Sequence, residues 1–516
     1  MESHSESTKR IAKNTLLLYV RTIFTLLVSL YTSRVILQAL GVEDYGINNV
    51  VGGLVSMFSV ISSSLCGAIG RFITYGLGKG DIKKLRRIFS TSLNIQIVIS
   101  ILVLGLGIVI GAWFLNNKMS IPDERLYAAN WVLYCSLISF VVSLISVPFN
   151  SCIISHEHMN VFAYISVFET VLKLIIVYAI YISPFDKLIT YTNLFLLSSI
   201  ITLFLYIIYC RRNFEECKYE FVIDKPLVKE MGSFAGWSFL GSTAYLLNNQ
   251  GVNLLINVFF GVAVNAARGI AVQVQNAILQ FVNNFSTAIN PQITKSCALG
   301  DYDHLYKLIC QGAKYSYYLL LIFTVPIFIE ADYILKLWLG IVPEYSVIFL
   351  RLILITSYVT IIGNTSYTAI MATGVIKNYQ IVITLCGCLV FPFTWIFYKL
   401  GYSVTLTYYI YIIIYFLLNF IRLYYLKKLI DFPIMWYIKG VIFRSFVMTI
   451  PAFLIPLAFT FIYDEVSIFR VIGTAIISFI VNLICIYWLG LDKGEREFIY
   501  NKIKQLLSEK CHLKNI

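Results

Sequence analysis

The chain is a succession of apolar segments about twenty residues long, broken by short polar turns, and part of that succession occurs twice. Leu40 to Leu85, laid on the sequence 220 positions further along, puts Gly41-Val42 on Gly261-Val262, Ala68-Ile69 on Ala288-Ile289 and Ile73-Thr74 on Ile293-Thr294. Gly80-Asp81 then falls on Gly300-Asp301 and Leu85 on Leu305, with no gap. A hydrocarbon core about 30 Å thick takes about 20 apolar residues per helix. Lipid satisfies no backbone polar group, so spanning segments are helices or closed barrels. The pattern therefore implies a duplicated, all-α polytopic membrane protein whose halves can leave a cavity near the bilayer midplane.

Fourteen spans are expected, at 14–38, 46–69, 92–115, 128–150, 160–182, 188–209, 234–258, 262–289, 314–338, 345–366, 379–399, 404–423, 440–463 and 468–490. Six spans separate the start of one copy from the start of the next. Both copies then enter from the same side, related by an axis along the membrane normal. Residues 1–209 form an N-terminal six-helix lobe, 210–231 a cytoplasmic linker, 232–430 a C-terminal six-helix lobe, and 431–516 two additional helices and a basic cytoplasmic tail. The two lobes are expected to be pseudo-symmetric. Pro291 is expected to end the second helix of the later copy, where the first copy has Arg71.

Composition excludes a soluble enzyme. The chain is 59% hydrophobic and 13% charged, against about 25% charged in soluble domains, and no segment between spans is long enough to hold a catalytic domain. The formal charge of +13 needs no nucleic acid. Lys and Arg collect in the 71–90 loop, the 210–231 loop and the tail after Leu491, the positive-inside pattern of a protein with both termini cytoplasmic. Lys83 to Phe89 is expected to lie on the inner surface as an amphipathic helix. Lys9, Arg10 and Lys13 run directly into the first span without a cleavage site, as in a retained signal anchor. The eleven cysteines have neither zinc-ligand nor paired disulfide spacing.

The chemistry lies in what apolar helices carry against its cost, about 2.5–3.5 kcal/mol for a cation at a helix centre. Arg21, with Thr25, Ser29 and Thr32, makes one polar face of the first span. The second span mixes Asn49, Ser56 and Ser63 with Gly52 and Gly53, a small-residue packing surface. Glu169 and Lys173 stand four apart in the order that pairs well. They either neutralise each other, or Lys173 presents its charge to a ligand while Glu169 tunes it. The seventh span carries Asn249, Asn253 and Asn257 at fourfold spacing, with Asn248 and Gln250 beside them. The eighth carries Arg268, Asn276, Gln280, Asn283 and Asn284. Lipid cannot satisfy so many amides, so they must face other helices or water. Amides suit sugar hydroxyls, and guanidinium and ammonium groups suit phosphate oxygens. Arg34 and Arg351 are expected to snorkel, and Glu330 and Asp332 to be interfacial. His156-Glu157-His158 reads as an exposed turn, not a metal site, and no catalytic constellation is present.

Several segments carry a family resemblance. Asn14-Thr15 opening a long span, Ser33-Arg34-Val35-Ile36, Leu40-Gly41-Val42-Glu43-Asp44-Tyr45-Gly46 and the loop Gly78-Lys79-Gly80-Asp81 resemble the start of a polysaccharide-exporting flippase. Leu337-Trp338-Leu339-Gly340 and Val342-Pro343-Glu344-Tyr345 are similar to the segment such proteins carry after their ninth span. The family is the O-antigen and capsule flippase branch of the multidrug/oligosaccharidyl-lipid/polysaccharide exporter superfamily, which also holds the lipid II flippases and the multidrug extruders. The resemblance implies a V-shaped pair of six-helix lobes in a bacterial inner membrane. It implies passage of a polyprenyl-pyrophosphate-linked oligosaccharide from the cytoplasmic to the periplasmic leaflet, among membrane lipids and with other glycan assembly proteins as partners.

Matched by role and span, Arg21, Lys173 and Arg268 would hold the pyrophosphate. The amides Asn249, Asn253, Asn276, Gln280, Asn283 and Asn284 would meet the sugars, with Glu169 tuning the charge. No cofactor is implied. The coupling ion, H⁺ or Na⁺, varies across the superfamily. The rival reading is a cation-coupled multidrug extruder of the same superfamily, and spans 1 and 2 lack the interior carboxylates it would want. A membrane glycan polymerase would need larger outer loops than this chain has.

Overall fold

The computed structural model describes residues 4–56, 58–118, 123–221, 224–260, 262–339, 342–463, 465–492 and 494–497. Lys493, Lys502, Lys504, Lys510 and Lys514 of the basic tail lie outside them, as do the side chains of Arg34, Asn49, Ser56, Gln250 and Asn257. Among the described residues the fold is helical throughout, with no strand. The first helices are α1 (His4–Ser56), α2 (Ser59–Lys79), α3 (Ile82–Lys118), α4 (Asp123–Ser155), α5 (Met159–Ile182), α6 (Lys187–Asn213) and α7 (Lys225–Leu246). The middle of the chain forms α8 (Val252–Phe260), α9 (Val262–Leu299), α10 (Tyr302–Ile329), α11 (Ala331–Leu339), α12 (Ser346–Ile362) and α13 (Asn364–Thr373). Then come α14 (Lys377–Cys388), α15 (Val390–Lys399), α16 (Leu406–Ile430), α17 (Ile434–Tyr437), α18 (Arg444–Ile462) and α19 (Ile468–Cys485).

Among the described residues, ten helical segments are long and apolar enough to cross a membrane, and they coincide with the expected spans 3 to 6 and 9 to 14. The remaining four expected spans fall on α1, α2, the α7–α8 pair and α9, the helices that carry most of the polar stripes. The surface of α3 shows why lipid suits this chain: Val98, Ile101, Leu102, Leu106, Val109 and Ile110 all point outward. In water such a patch would drive aggregation.

The duplicated sequence builds the same turn twice. Gly80 and Gly300 both adopt φ +72°, the left-handed conformation that ends a helix cheaply only at glycine. The next residue caps the following helix: Lys84 donates its backbone N–H to Asp81 Oδ1 at 3.0 Å, and His304 donates to Asp301 Oδ1 at 3.2 Å. Ala68, Ile69, Ile73 and Leu85 are buried, and so are Ala288, Ile289, Ile293 and Leu305. Gly41, at φ +80°, kinks α1, and beyond the kink Asp44 is gripped by Arg125, which also reaches Asp186 Oδ2 at 2.6 Å.

The chain divides into two compact units that cut across its linear order. Unit 1 holds Met1–Leu247, Asn283–Leu305 and Thr368–Cys388; unit 2 holds Asn248–Val282, Tyr306–Tyr367 and Leu389–Ile516. In unit 1, α4 packs on α3 and α6, and α1 on α5. Its core includes Ile69, Phe72, Ile73, Phe89, Phe149 and Phe234. At one end of the unit the two sequence copies meet. A Cβ placed on Gly78 would lie 2.8 Å from Cβ of Ala298, its own repeat equivalent. Arg71 donates to the carbonyl of Ala372 at 3.3 Å. Gln292 Nε2 donates to Glu157 Oε2 at 2.6 Å, and Lys295 pairs with Glu157 Oε1 at 2.7 Å. The second helix of each copy thus contacts the turn between the fourth and fifth spans of the other.

In unit 2, α12 packs on α16, and α18 on α19. The last two helices are fixed to α10 by ionic clusters. Arg470 of α19 donates to both oxygens of Glu330, at 3.0 and 2.8 Å, and Thr474 donates to the same carboxylate. Past α19, Glu495 accepts from Lys314 at 2.6 Å and from Tyr315 at 2.7 Å.

Several local expectations are corrected. The 71–90 region is not a loop: α2 runs to Lys79 and α3 starts at Ile82, continuous with the third span, so Lys83–Phe89 is no separate surface helix. Pro291 does not end α9, which continues to Leu299 because proline removes one backbone hydrogen bond and leaves the rest of the ladder. Glu157 is buried, not exposed, because Lys295, Gln292 and the Asn14 amide close over it. Glu330 is buried by its pairing with Arg470. Arg351 pairs with Asp332 at 2.8 Å.

Candidate functional site

Arg21 lies on α1 with its guanidinium 5.0 Å from the Phe162 ring centroid. It donates to Asn284 Oδ1 at 3.2 Å and to Thr22 Oγ1 at 3.4 Å. Asn284 is itself fixed: its amide nitrogen donates to Thr22 Oγ1 at 2.5 Å, and that hydroxyl donates to the Leu18 carbonyl at 2.8 Å. The fold therefore joins two expected site residues 263 positions apart in the sequence. In unit 2, Arg268 of α9 is 6% exposed and donates to Asn253 Oδ1 at 3.0 Å, joining two more. The rings of Tyr398 and Tyr408 stand near it.

The two arginines share one electrostatic condition. Each is held by the oxygen of an asparagine, and each has a buried Nε with no partner. Among the described residues, neither has a carboxylate at ion-pair distance. An amide oxygen orients a guanidinium without neutralising it, so the positive charge is not cancelled at either site, buried at Arg268 and half-buried at Arg21.

Lys173 differs. Its ammonium is 2.6 Å from Glu169 Oε1 and 5.4 Å from the Phe195 ring centroid, so the pair largely cancels. Glu169 lines a cavity of about 490 Å³ within unit 1, bounded by α1, α4, α5 and α6. Asn48, Ser136, Ser139, Ser143, Thr192 and Ser199 supply polar groups, and Phe140, Tyr191 and Phe195 supply rings. Of the remaining amides, Asn276, Gln280 and Asn283 are exposed on α9 and Asn249 is part-buried. Among the described residues no group of His, Cys, Asp and Glu side chains could hold a metal ion.

Sequence reasoning missed the serines of α4. Ser136, Ser139 and Ser143 stand at offsets of three and seven, a hydroxyl stripe on one helix face that counting would have found. It also took Arg71 for a loop cation, whereas the guanidinium lies within 4.7–5.3 Å of the Phe72, Tyr75 and Phe234 ring centroids. The aromatics one and four residues after Arg71 were the available signal. Nothing in the sequence links Phe162 to Arg21.

No family model matches the chain. It is similar to EpsK, an uncharacterized membrane protein of Bacillus subtilis (strain 168), at 19% identity over 340 residues, 66% of this chain and 67% of that one. Among solved structures it superposes on a MATE protein in the straight conformation with TM-score 0.70 and 13% identity, covering 82% of this chain and 96% of that one. An outward-facing multidrug resistance MATE family transporter of the MOP superfamily gives TM-score 0.68 at 15% identity, over 82% and 97%. A MOP superfamily transporter from Pyrococcus furiosus, described as having a binding pocket of reversed polarity that suggests a different function, gives 0.64 at 14%, over 82% and 96%. The chain is a multi-pass membrane protein with the fold of the MATE transporters of the MOP superfamily.

Proposed function

We propose that this protein is an alternating-access flippase. It would carry a polyprenyl-pyrophosphate-linked oligosaccharide from the inner to the outer leaflet of a bacterial inner membrane for surface polysaccharide synthesis. One observation carries the reading: Arg268 is buried, Arg21 is half-buried, and neither is paired with any carboxylate among the described residues. A buried cation of this kind is costly unless an anion completes it. Pyrophosphate oxygens match the planar donor fork of a guanidinium. Lys173 sits closer to neutrality and would contribute once Glu169 releases it. The exposed amides of α9 offer both donors and acceptors to sugar hydroxyls. The tail of the substrate would stay in lipid.

The fold likeness equally supports a second reading, a cation-coupled multidrug extruder. Coulomb repulsion from Arg21 and Arg268 weighs against cationic cargo, and one neighbour's description ties reversed pocket polarity to a different function. In cells lacking the protein, lipid-linked glycan intermediates should accumulate on the cytoplasmic side. Wild type should clear them and Arg268→Ala should not. Absence of accumulation together with altered sensitivity to cationic drugs would transfer the assignment to the extruder.

A further inference from the structure

We propose that the cavity of unit 1 is a subsite for a neutral pyranose. This rests on the flippase reading and names the part of the substrate the cavity takes. The argument begins with Ser139. It is 7% exposed, it lines the cavity, and its Oγ has no hydrogen-bond partner. A buried hydroxyl without a partner is uncommon, and one at a cavity wall calls for a polar occupant.

The rest of the lining defines which occupant. Thr192 spends its one hydroxyl proton on the Leu188 and Ile189 carbonyls, at 3.1 and 3.0 Å, and Ser199 spends its own on the Phe195 carbonyl at 3.1 Å. Both oxygens keep lone pairs and act toward the cavity as acceptors. These two oxygens match hydroxyl donors on an occupant, while Ser139 and the other lining hydroxyls can also donate. Tyr191 and Phe195, with centroids 6.1 Å apart, line the same cavity, and the Lys173 ammonium stands 5.4 Å from the Phe195 centroid. A pyranose has both surfaces, hydroxyls at its rim and C–H groups on its faces.

Charge excludes the alternatives. Glu169 is the carboxylate of the lining, and Lys173 stands 2.6 Å from it. A cation entering beside Glu169 would meet the ammonium, and an anion approaching Lys173 would meet the carboxylate. The pair does leave carboxylate lone pairs for a sugar hydroxyl. The volume of about 490 Å³ lies within the range of roughly 300–1,000 Å³ usual for small-molecule sites. The residues lining the cavity belong to unit 1 and Arg268 to unit 2. Sugar recognition and pyrophosphate recognition can therefore be tested apart.

The experiment uses the purified full-length protein in detergent, titrated separately with glucose, galactose, rhamnose, N-acetylglucosamine, inorganic pyrophosphate and sodium chloride. At least one neutral sugar should bind wild type and Arg268→Ala alike. Its dissociation constant should rise at least about tenfold in Ser139→Leu, which fills the cavity. Ser143→Val, a smaller change on the same wall, should weaken the same sugar if the leucine variant does not fold. Pyrophosphate binding should follow the opposite pattern, lost in Arg268→Ala and kept in Ser139→Leu. The subsite is overturned if no sugar binds, if sugar binding survives both serine variants, or if only sodium binds and Glu169→Gln removes it. Failure of wild type to bind pyrophosphate, with its sugar binding intact, would instead overturn the flippase reading.

Discussion

Arg21 and Arg470 show how the same side chain can serve opposite ends. Arg470 delivers two parallel bonds to the carboxylate of Glu330, itself 2% exposed. Removing one partner from such a pair strands the other charge, at about 3–5 kcal/mol. Arg21 bonds only to amide and hydroxyl oxygens, so its removal strands no charge, only the amide oxygen of Asn284, at about 1–3 kcal/mol. Arg21→Ala and Arg268→Ala should therefore unfold only a little below wild type while losing glycan export. Glu330→Ala should unfold well below it. Thermal unfolding of the three purified variants, set beside export in cells, checks the contrast. An Arg268→Ala protein that is strongly destabilised would mean the guanidinium serves the fold. The sequence showed which spans carry unpaid charge because a cation inside an apolar run is visible by composition alone. It could not tell Arg470, eventually paired with a carboxylate 140 positions away, from Arg21, which has no carboxylate partner among the described residues.

At the scale of elements, the glycines and aspartates of the repeat were legible because their work is local: a left-handed residue and a capping carboxylate act within four residues. The same logic found nearly every apolar helix. It failed at ends set by tertiary contact, as where α3 begins directly after Asp81 and where α9 passes through Pro291. The closing segment of the chain is held in a way no local pattern shows. Burial pushes the Glu495 carboxyl up, but Lys314, its hydrogen bond, the Asp492 backbone N–H and the Tyr315 hydroxyl outweigh it, leaving the group below the usual carboxylate range. A carboxyl depressed in the folded state stabilises fully above its unfolded value, about 4.3, and that contribution is lost as pH falls through the folded value. Unfolding temperature should therefore drop as the protein is acidified below about pH 4.5. Glu495→Gln should be less stable at neutral pH and show a shallower acid limb. Parallel limbs in wild type and variant would remove Glu495 from the account.

The duplication predicts that whatever one copy does at a given helix, the other can do 220 residues later, and unit 1 shows where this becomes physical contact. Gly78 faces Ala298 across a distance that admits no further carbon. Around that point Arg71 reaches the turn after α13, while Gln292 and Lys295 reach the turn after α4. The two contacts are equivalent in position but not in chemistry, since one ends on a carbonyl and the other on a carboxylate. Their asymmetry is why the sequence, read as a repeat, gave no hint of the Glu157–Lys295 pair. Within unit 1 the pair ties the second-copy segment Asn283–Leu305 to the turn after α4. Glu157 is almost wholly buried, so Lys295→Glu would place two carboxylates together and cost about 3–5 kcal/mol. Glu157→Lys would do the same with two ammonium groups. Combining them as Glu157→Lys with Lys295→Glu restores opposite signs at the same separation and should recover at least half of the lost unfolding temperature and of the lost export. Recovery of stability without export would mean that Glu157 acts in transport beyond its pairing. Failure of the double variant to recover either would show that Gln292, which also bonds to the Glu157 carboxylate, fixes the carboxylate's identity and not merely its charge.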